Sequence, residues 1–393
     1  MKNVAILVPN LQSGGSERIV SRLSLAMQSK YNVFLIMFDT KDISYEHGGT
    51  LIDMNLPPVK GTVGKLLNMR RRINALKKIV KNQKIDIICS FTATADYVNA
   101  FSKADCKRLI SCREATFMEK HLKRYKAMCK RSDGILFNAE GMREIYLNHY
   151  PKDASKTFML YNLFDIEKIN EKLQDALPEE YKTFFETHKV ITTVSRFAKT
   201  KGQWHLIKSF EILKEKVPDA GLLFVGHCGA LEQDIHKMAA KSKYAEDIKF
   251  TGFSDNPFKF VSKSDVYALC SLGEGFPNAL VEAMASGAPA VATNCKTGPY
   301  EILFEKYKKG FDCEDYVIAD YGIITPRFDD IVDFDLNNKS KRHKIYAGAL
   351  ERILTDKQLA IDLAEKGKKR AESYDQKLII NKYIKLLENS SNK

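Results

Sequence analysis

The segment Glu274-Gly275-Phe276-Pro277-Asn278-Ala279-Leu280-Val281-Glu282 sets two carboxylates on either side of a Gly-Phe-Pro turn. Pro277 suits the first position of a helix, where its missing N–H would be unpaired anyway. Residues Asn278 to Ser286 then read as a short helix, closed by Gly287 with Pro289 beyond it. A helix start behind a tight turn offers free N–H donors and a positive dipole end, which suit a phosphate. Glu282 sits about one turn in and leans back toward that mouth, because side chains tilt toward the helix N-terminus. Carboxylates accept hydrogen bonds well from sugar hydroxyls and are poor phosphate ligands. The pair therefore suits a sugar nucleotide better than a bare nucleotide. Taken alone, the same spacing also fits an ordinary amphipathic helix with two exposed acids.

Four further segments follow strand-like runs. Pro9-Asn10-Leu11-Gln12-Ser13-Gly14-Gly15-Ser16-Glu17 joins the first run to a helix, and Gly14-Gly15 permits close backbone approach to a ligand. It is not the dinucleotide fingerprint, and a tight structural turn is the competing reading. In Ser195-Arg196-Phe197-Ala198-Lys199-Thr200-Lys201-Gly202, Arg196 can grip a phosphate as a fork and Lys201 as a point charge. Cations at a helix start oppose the dipole, which points to an anionic partner; a solvated basic turn is the alternative. Val225-Gly226-His227-Cys228-Gly229 ends another run with two glycines, and His227 reads as a local hydrogen-bonding or surface residue. In Thr251-Gly252-Phe253, Phe253 reads equally as a contact for a base or as core.

These segments need elements to hold them. Strands are expected near 4–9, 32–38, 86–91, 108–112, 133–138 and 158–162, with helices near 17–29, 65–82, 93–103, 118–131 and 140–149. Residues 163–188 read as a passage between domains. A second series begins at Val190, with strands near 221–226, 248–252, 266–270, 289–293 and 321–325. Apolar strands alternating with helices predict an α/β chain of two Rossmann-like domains, with a ligand at the carboxyl ends of the strands, in a cleft between them. The expected domains are 1–165, joined by a C-terminal helix at 375–393, and 166–374.

A length of 393 residues and 44% hydrophobic content fit two globular cores, and no apolar run approaches a membrane span. The first residues run straight into a strand pattern rather than a signal peptide, so an intracellular protein is expected. Eight cysteines without a C-x-x-C pair predict free thiols in a reducing compartment and no structural metal. Residues 1–165 hold 27 Lys+Arg against 15 Asp+Glu, while the rest hold 35 against 34. The excess gathers in 65–84 and 120–131. In the first of these, Leu66, Met69, Ile73, Leu76 and Val80 follow helical spacing among basic residues. Such a helix fits an anionic membrane surface, or is a plain solvated face. Nucleic acid is disfavoured, since neither segment interleaves aromatics or matches a known module.

Gly14-Gly15-Ser16-Glu17, Ser195-Arg196 with Lys201-Gly202, and the Glu274–Glu282 block, in this order, resemble glycosyltransferase family four. The resemblance extends through Tyr161-Asn162, Thr297-Gly298-Pro299-Tyr300-Glu301-Ile302 and Tyr321–Pro326, which look like a bacterial subset building capsule, exopolysaccharide or lipopolysaccharide. It implies a retaining GT-B enzyme that needs no metal or cofactor, with an N-terminal acceptor domain and a C-terminal donor domain. The donor would be a UDP-sugar, and several members of that subset transfer N-acetylhexosamines. The acceptor would be a lipid-diphosphate-linked glycan, met peripherally at the cytoplasmic face of the membrane through the basic domain.

By that resemblance Arg196 and Lys201 hold the donor diphosphate with Gly15 closing on it, Glu282 binds the ribose and Glu274 the transferred sugar. Ser195, Gly226 and the backbone of Phe276, Pro277, Asn278, Ala279 and Leu280 line the donor. Many relatives carry a histidine where this chain has Ser111-Cys112-Arg113-Glu114. There Arg113 is expected to contact phosphate or the acceptor's anion, and Glu114 the sugar or Arg113 itself, while His121 is expected on the basic helix. A UDP-sugar epimerase of the same architecture and a non-enzymatic basic membrane-surface protein are the other readings, with a dehydrogenase third because its fingerprint is missing.

Overall fold

The apolar runs pair into two sheets. In the computed structural model, which describes residues 1–12 and 14–389, the chain divides into two units: Met1–Phe164 with the stretch from Tyr374, and Asp165–Ser373. The first unit holds β1 (Asn3–Val8), β2 (Asn32–Met37), β3 (Thr50–Asp53), β4 (Ile87–Ser90), β5 (Lys107–Cys112), β6 (Gly134–Phe137) and β7 (Thr157–Met159). Their order is β3-β2-β1-β4-β5-β6-β7, parallel throughout. Val4 to Val8 are wholly buried, as a parallel strand covered on both faces requires. The second unit holds β8 (Lys189–Val194), β9 (Ala220–Val225), β10 (Ile248–Phe250), β11 (Val266–Leu269), β12 (Ala290–Thr293), β13 (Val317–Ile318) and β14 (Ile323–Thr325). Here the order is β10-β9-β8-β11-β12-β14-β13, with only β13 antiparallel. In both sheets the order reverses beside the first strand, the position where such folds bind ligands.

Several expectations change. β3 and β13 are edge strands without a fully buried residue, so neither shows the apolar run that marks the inner strands. The stretch 118–131 is two helices, Ala115–Lys120 and Leu122–Arg131, and His121 caps the joint between them rather than riding on one basic helix. Residues 163–188 contain helices Ile166–Lys172 and Glu179–Thr187, the first started by the Asp165 carboxylate accepting from Lys168 N–H. The C-terminal helix Gln376–Asn389 packs Ile379, Tyr383 and Leu387 into the first unit's core; the 390–393 end of the expected helix, like Ser13, lies outside the described residues.

The basic helix Thr62–Asn82 packs Met69, Ile73, Leu76 and Val80 inward as their spacing predicts, and departs from it at Leu66 and Arg72. Arg72 is buried, donating twice to the Leu56 carbonyl and stacking 4.1 Å over the Phe38 ring, while Leu76 and Val80 pack beneath. Leu66 instead faces outward with Val63 and Leu67, at 57%, 72% and 48% exposure.

A buried histidine pair ties the second unit's 328–340 segment to the helix Gln203–Lys214. His343 Nδ1 accepts from Ser340 N–H, so its Nε2–H donates to His205 Nδ1 at 2.8 Å and His205 Nε2–H donates to the Asp329 carbonyl. Each ring thus holds one proton in this arrangement. Burial lowers His205 to about 4; burial, and then the neighbouring His205, lowers His343 to about 3. Lys208 opposes their charging, and Asp329 and Asp333 favour it. Because the folded values lie below the ordinary 6.5, this contribution to stability is whole above about pH 6.5 and is lost as pH falls toward 4. Melting followed by circular dichroism from pH 7 to 4.5 is expected to fall by several degrees. His343→Gln, which keeps a donor but cannot charge, should flatten that fall.

Candidate active site

The carboxyl ends of β8, β9 and β10 converge on glycine. Gly226, at φ +137°, lies so close that a Cβ would sit 2.3 Å from the Ser195 carbonyl oxygen, and its N–H donates to Gly252 O. Ser195 N–H donates to Val225 O, which joins the turn after β8 to the end of β9. Gln203, completely buried, donates from Nε2 to Ser195 Oγ (2.8 Å) and to the Arg196 carbonyl (2.9 Å), fixing the turn. The Arg196 side chain is exposed and makes no ion pair among the described residues. Phe253 is 63% exposed beside the His227 ring, with centroids 4.9 Å apart, so the core reading of Phe253 fails.

Past this turn a short 3-10 segment, Lys199–Lys201, ends at Gly202 in the left-handed region, φ +64°. A side chain there would meet the Cys270 carbonyl at 2.4 Å, so glycine is required for the chain to pass β11. The pass aims Lys201 at the loop after β11, where Nζ lies 2.6 Å from Glu274 Oε1. Ser271 Oγ donates to the same oxygen at 2.6 Å. Lys201 and Glu274, 73 residues apart in sequence, are thus one ion pair that is 25% and 11% exposed. Part of each charge is already answered by the other.

The Glu274 loop is held from behind. Thr297 Oγ1 donates to the Glu274 carbonyl, and Gly298, at φ +93°, presses against Pro277 so closely that a Cβ would sit 2.4 Å from its Cδ. Pro277 caps the helix Asn278–Ala285 and is not its first residue. Its ψ of 96° is extended and its carbonyl accepts from Leu280 N–H. Asn278 and Ala279, the first two residues of the helix, are half-exposed, whereas Phe276 and Leu280 are buried. Glu282, one turn further, is 7% exposed.

In the first unit Gly15 is the exposed first residue of the helix Gly15–Met27, after β1. Arg113 follows β5 and is turned toward its own unit: it donates to Asn162 Oδ1 at 2.5 Å and to Tyr383 Oη at 2.8 Å, and its guanidinium stacks 4.8 Å over Phe91. It therefore fastens the C-terminal helix. Glu114 is exposed and caps the helix Ala115–Lys120. Between Gly15 and Arg113, at the end of β4, Thr92 holds φ +84° and ψ 146° with its Oγ1 buried and unpaired. A β-branched residue in that region is strained, and strain collects at functional strand ends. Gln203 and Thr92 were not read from the sequence, because only a tertiary contact or a dihedral angle distinguishes them.

The cysteines are free and mostly buried; burial pushes the Cys89 and Cys270 thiols up to about 12. No helix among the described residues is long and apolar enough to cross a membrane, and no group of three His, Cys, Asp or Glu side chains there is placed to hold a metal.

Two family models match in sequence: Glycosyltransferase Family 4 over residues 13–168 and Glycosyl transferases group 1 over 175–321. The chain belongs to the glycosyltransferases of family four, and it is a transferase with two Rossmann-like units of the GT-B class. It is 26% identical to the N-acetylgalactosamine-N,N'-diacetylbacillosaminyl-diphospho-undecaprenol 4-alpha-N-acetylgalactosaminyltransferase of Campylobacter jejuni, over 98% of this chain and 100% of that one. An uncharacterized glycosyltransferase of Methanocaldococcus jannaschii is 30% identical over 67% of this chain, which spans 65% of that relative's length. In fold, Anabaena HepE crystallised with UDP and glucose superposes with a TM-score of 0.75 at 17% identity, over 99% of this chain and 100% of that one.

Proposed function

We propose that the second unit binds a UDP-sugar at the Ser195–Gly202 turn and the Glu274–Glu282 block, and that the enzyme passes the sugar, with retention, to a lipid-diphosphate-linked glycan of the bacterial envelope. The Lys201–Glu274 contact carries this reading. It sets a cation for the leaving diphosphate beside a carboxylate for the sugar, both already positioned before a ligand arrives. Both of the carboxylate's bonds fall on Oε1, leaving Oε2 to face the sugar hydroxyls. Arg196 closes as a fork on the diphosphate, the Asn278 and Ala279 amides cover it, Glu282 takes the ribose, and Phe253 with His227 flanks the base. Charge building on the departing diphosphate is met by fixed cations, without a metal. The names of the Campylobacter relative and of an Escherichia coli diphosphoundecaprenol galactosyltransferase, 22% identical over 90% of this chain and 95% of its own, favour the lipid-linked acceptor.

Incubation with a panel of UDP-sugars and undecaprenyl-diphosphate-linked glycans, read by mass spectrometry, is expected to show extension by one sugar. Donor converted without acceptor would instead indicate an epimerase. Arg196→Ala and Glu282→Ala should each cut transfer at least about tenfold, or 1.4 kcal/mol, with melting temperature preserved. Near-wild-type rates in both would refute their assignment.

The first unit is the acceptor side in this reading, resting on the inner membrane face. Val59 just before the basic helix and Val63, Leu66 and Leu67 in its first turns are exposed, among exposed Lys65, Arg70 and Arg71. Apolar side chains among cations fit an anionic bilayer surface. Val63→Asp with Leu66→Asp and Leu67→Asp should lower binding to phosphatidylglycerol vesicles about tenfold in a flotation assay, while a soluble acceptor analogue is still extended. Unchanged flotation would remove this contact.

A further inference from the structure

The first unit contains a concavity lined by none of the residues assigned to transfer. A cavity of about 920 Å³ lies at the start of β5 and along β7, and the C-terminal helix forms its other wall. Its lining residues Lys107, Asp133, Ser155 and Lys156 stand at or just before the first residues of β5, β6 and β7. Gly15 and Arg113 follow the opposite ends of β1 and β5, so the cavity lies at the other edge of the sheet.

Four lysines line it: Lys107, Lys156, Lys382 and Lys385. One acid lines it, Asp133, whose Oδ2 already accepts from Arg108 N–H at 2.8 Å. Lys156 is fixed by donating to the Ser132 carbonyl at 2.9 Å and keeps two donors. Like charges around a concave low-dielectric wall repel one another and focus a positive potential, which an anion relieves. Lysine rather than arginine favours a ligand met by point charges, as a phosphate can be. Between the cations the wall is apolar, formed by Phe158, Met159, Leu160 and Leu386. Cys106 adds no negative charge, since burial pushes its thiol up to about 12. The volume falls within the range of about 300–1,000 Å³ usual for small-ligand sites.

We propose that this cavity is a second binding site, for a phosphate-bearing molecule with an apolar portion, which clips the C-terminal helix to the sheet. The phosphate belongs either to a soluble phosphorylated compound or to a lipid headgroup. Because Lys382 and Lys385 are supplied by that helix, occupancy joins the chain's last element to β5–β7 and raises the stability of the unit.

The test uses the full chain with the donor site saturated by UDP. Inorganic pyrophosphate is titrated by calorimetry, and vesicles of phosphatidylglycerol in phosphatidylcholine are followed by flotation. Both are repeated with Lys382→Glu/Lys385→Glu and with Lys382→Ala/Lys385→Ala, exposed positions where folding is checked by melting. The expected result is at least about tenfold weaker binding of one probe in both variants, with UDP binding unchanged. Loss with pyrophosphate assigns the soluble source, and loss with vesicles assigns the headgroup. Wild-type protein that binds neither probe, or variants that bind both as wild type does, would overturn the proposal.

Discussion

Lys201→Ala is expected to lower the rate of transfer by about 100-fold or more, near 2.7 kcal/mol, the largest effect of any single side chain in the second unit. Two consequences of one substitution combine. The charge opposite the departing diphosphate disappears, and Glu274, only 11% exposed, loses its ion-pair partner and keeps only the Ser271 hydroxyl. Since Lys201 and Glu274 touch at 2.6 Å, their effects cannot be independent. Glu274→Gln should also be slow, and the double variant should be at least about tenfold faster than the product of the two single losses. Steady-state kinetics on the four proteins decide this. Additive losses would mean that the pair does not act as one unit.

Gly202→Ala should cost about 3 kcal/mol of stability in the second unit and most of the activity with it. At φ +64° a methyl group is strained in itself, and here it also meets the Cys270 carbonyl at 2.4 Å, a backbone atom with nowhere to retreat. Relief requires moving the Lys199–Lys201 segment, which withdraws Lys201 from Glu274. Melting and kinetics are expected to fall together. Gly64→Ala, in a helix where the added carbon meets nothing nearer than 3.6 Å, is the control and should leave both unchanged.

What was legible in this sequence follows from physical range. Buried parallel strands such as Val4–Val8 and Ala220–Val225 are unbroken or nearly unbroken apolar runs, so the alternation with helices and the α/β class show directly. The edge strands β3 and β13 hold no fully buried residue and so leave no such apolar run. Arg72 counted as surface charge until its guanidinium proved to lie beneath Leu56 and over Phe38. Spacing alone could not choose between Leu66 and Arg72 for the inward face, because a helix of this length meets its unit along only part of its surface. In the candidate site, residue types and turns were readable, whereas partners were not. Lys201 and Glu274 were assigned to opposite parts of one ligand, and the fold shows that they also bind each other. Arg113, considered for the acceptor, is held by Asn162 and by Tyr383, the latter a contact spanning 270 residues that no local pattern encodes.

The most direct measurement is a calorimetric titration of UDP into the wild-type chain and into Arg196→Ala/Lys201→Ala. Saturable one-to-one binding by the wild type, weakened at least about 100-fold in the variant while its melting temperature holds, is the predicted result. Wild-type protein that takes up no UDP, or a variant that binds it equally well, would contradict a donor site built on that turn.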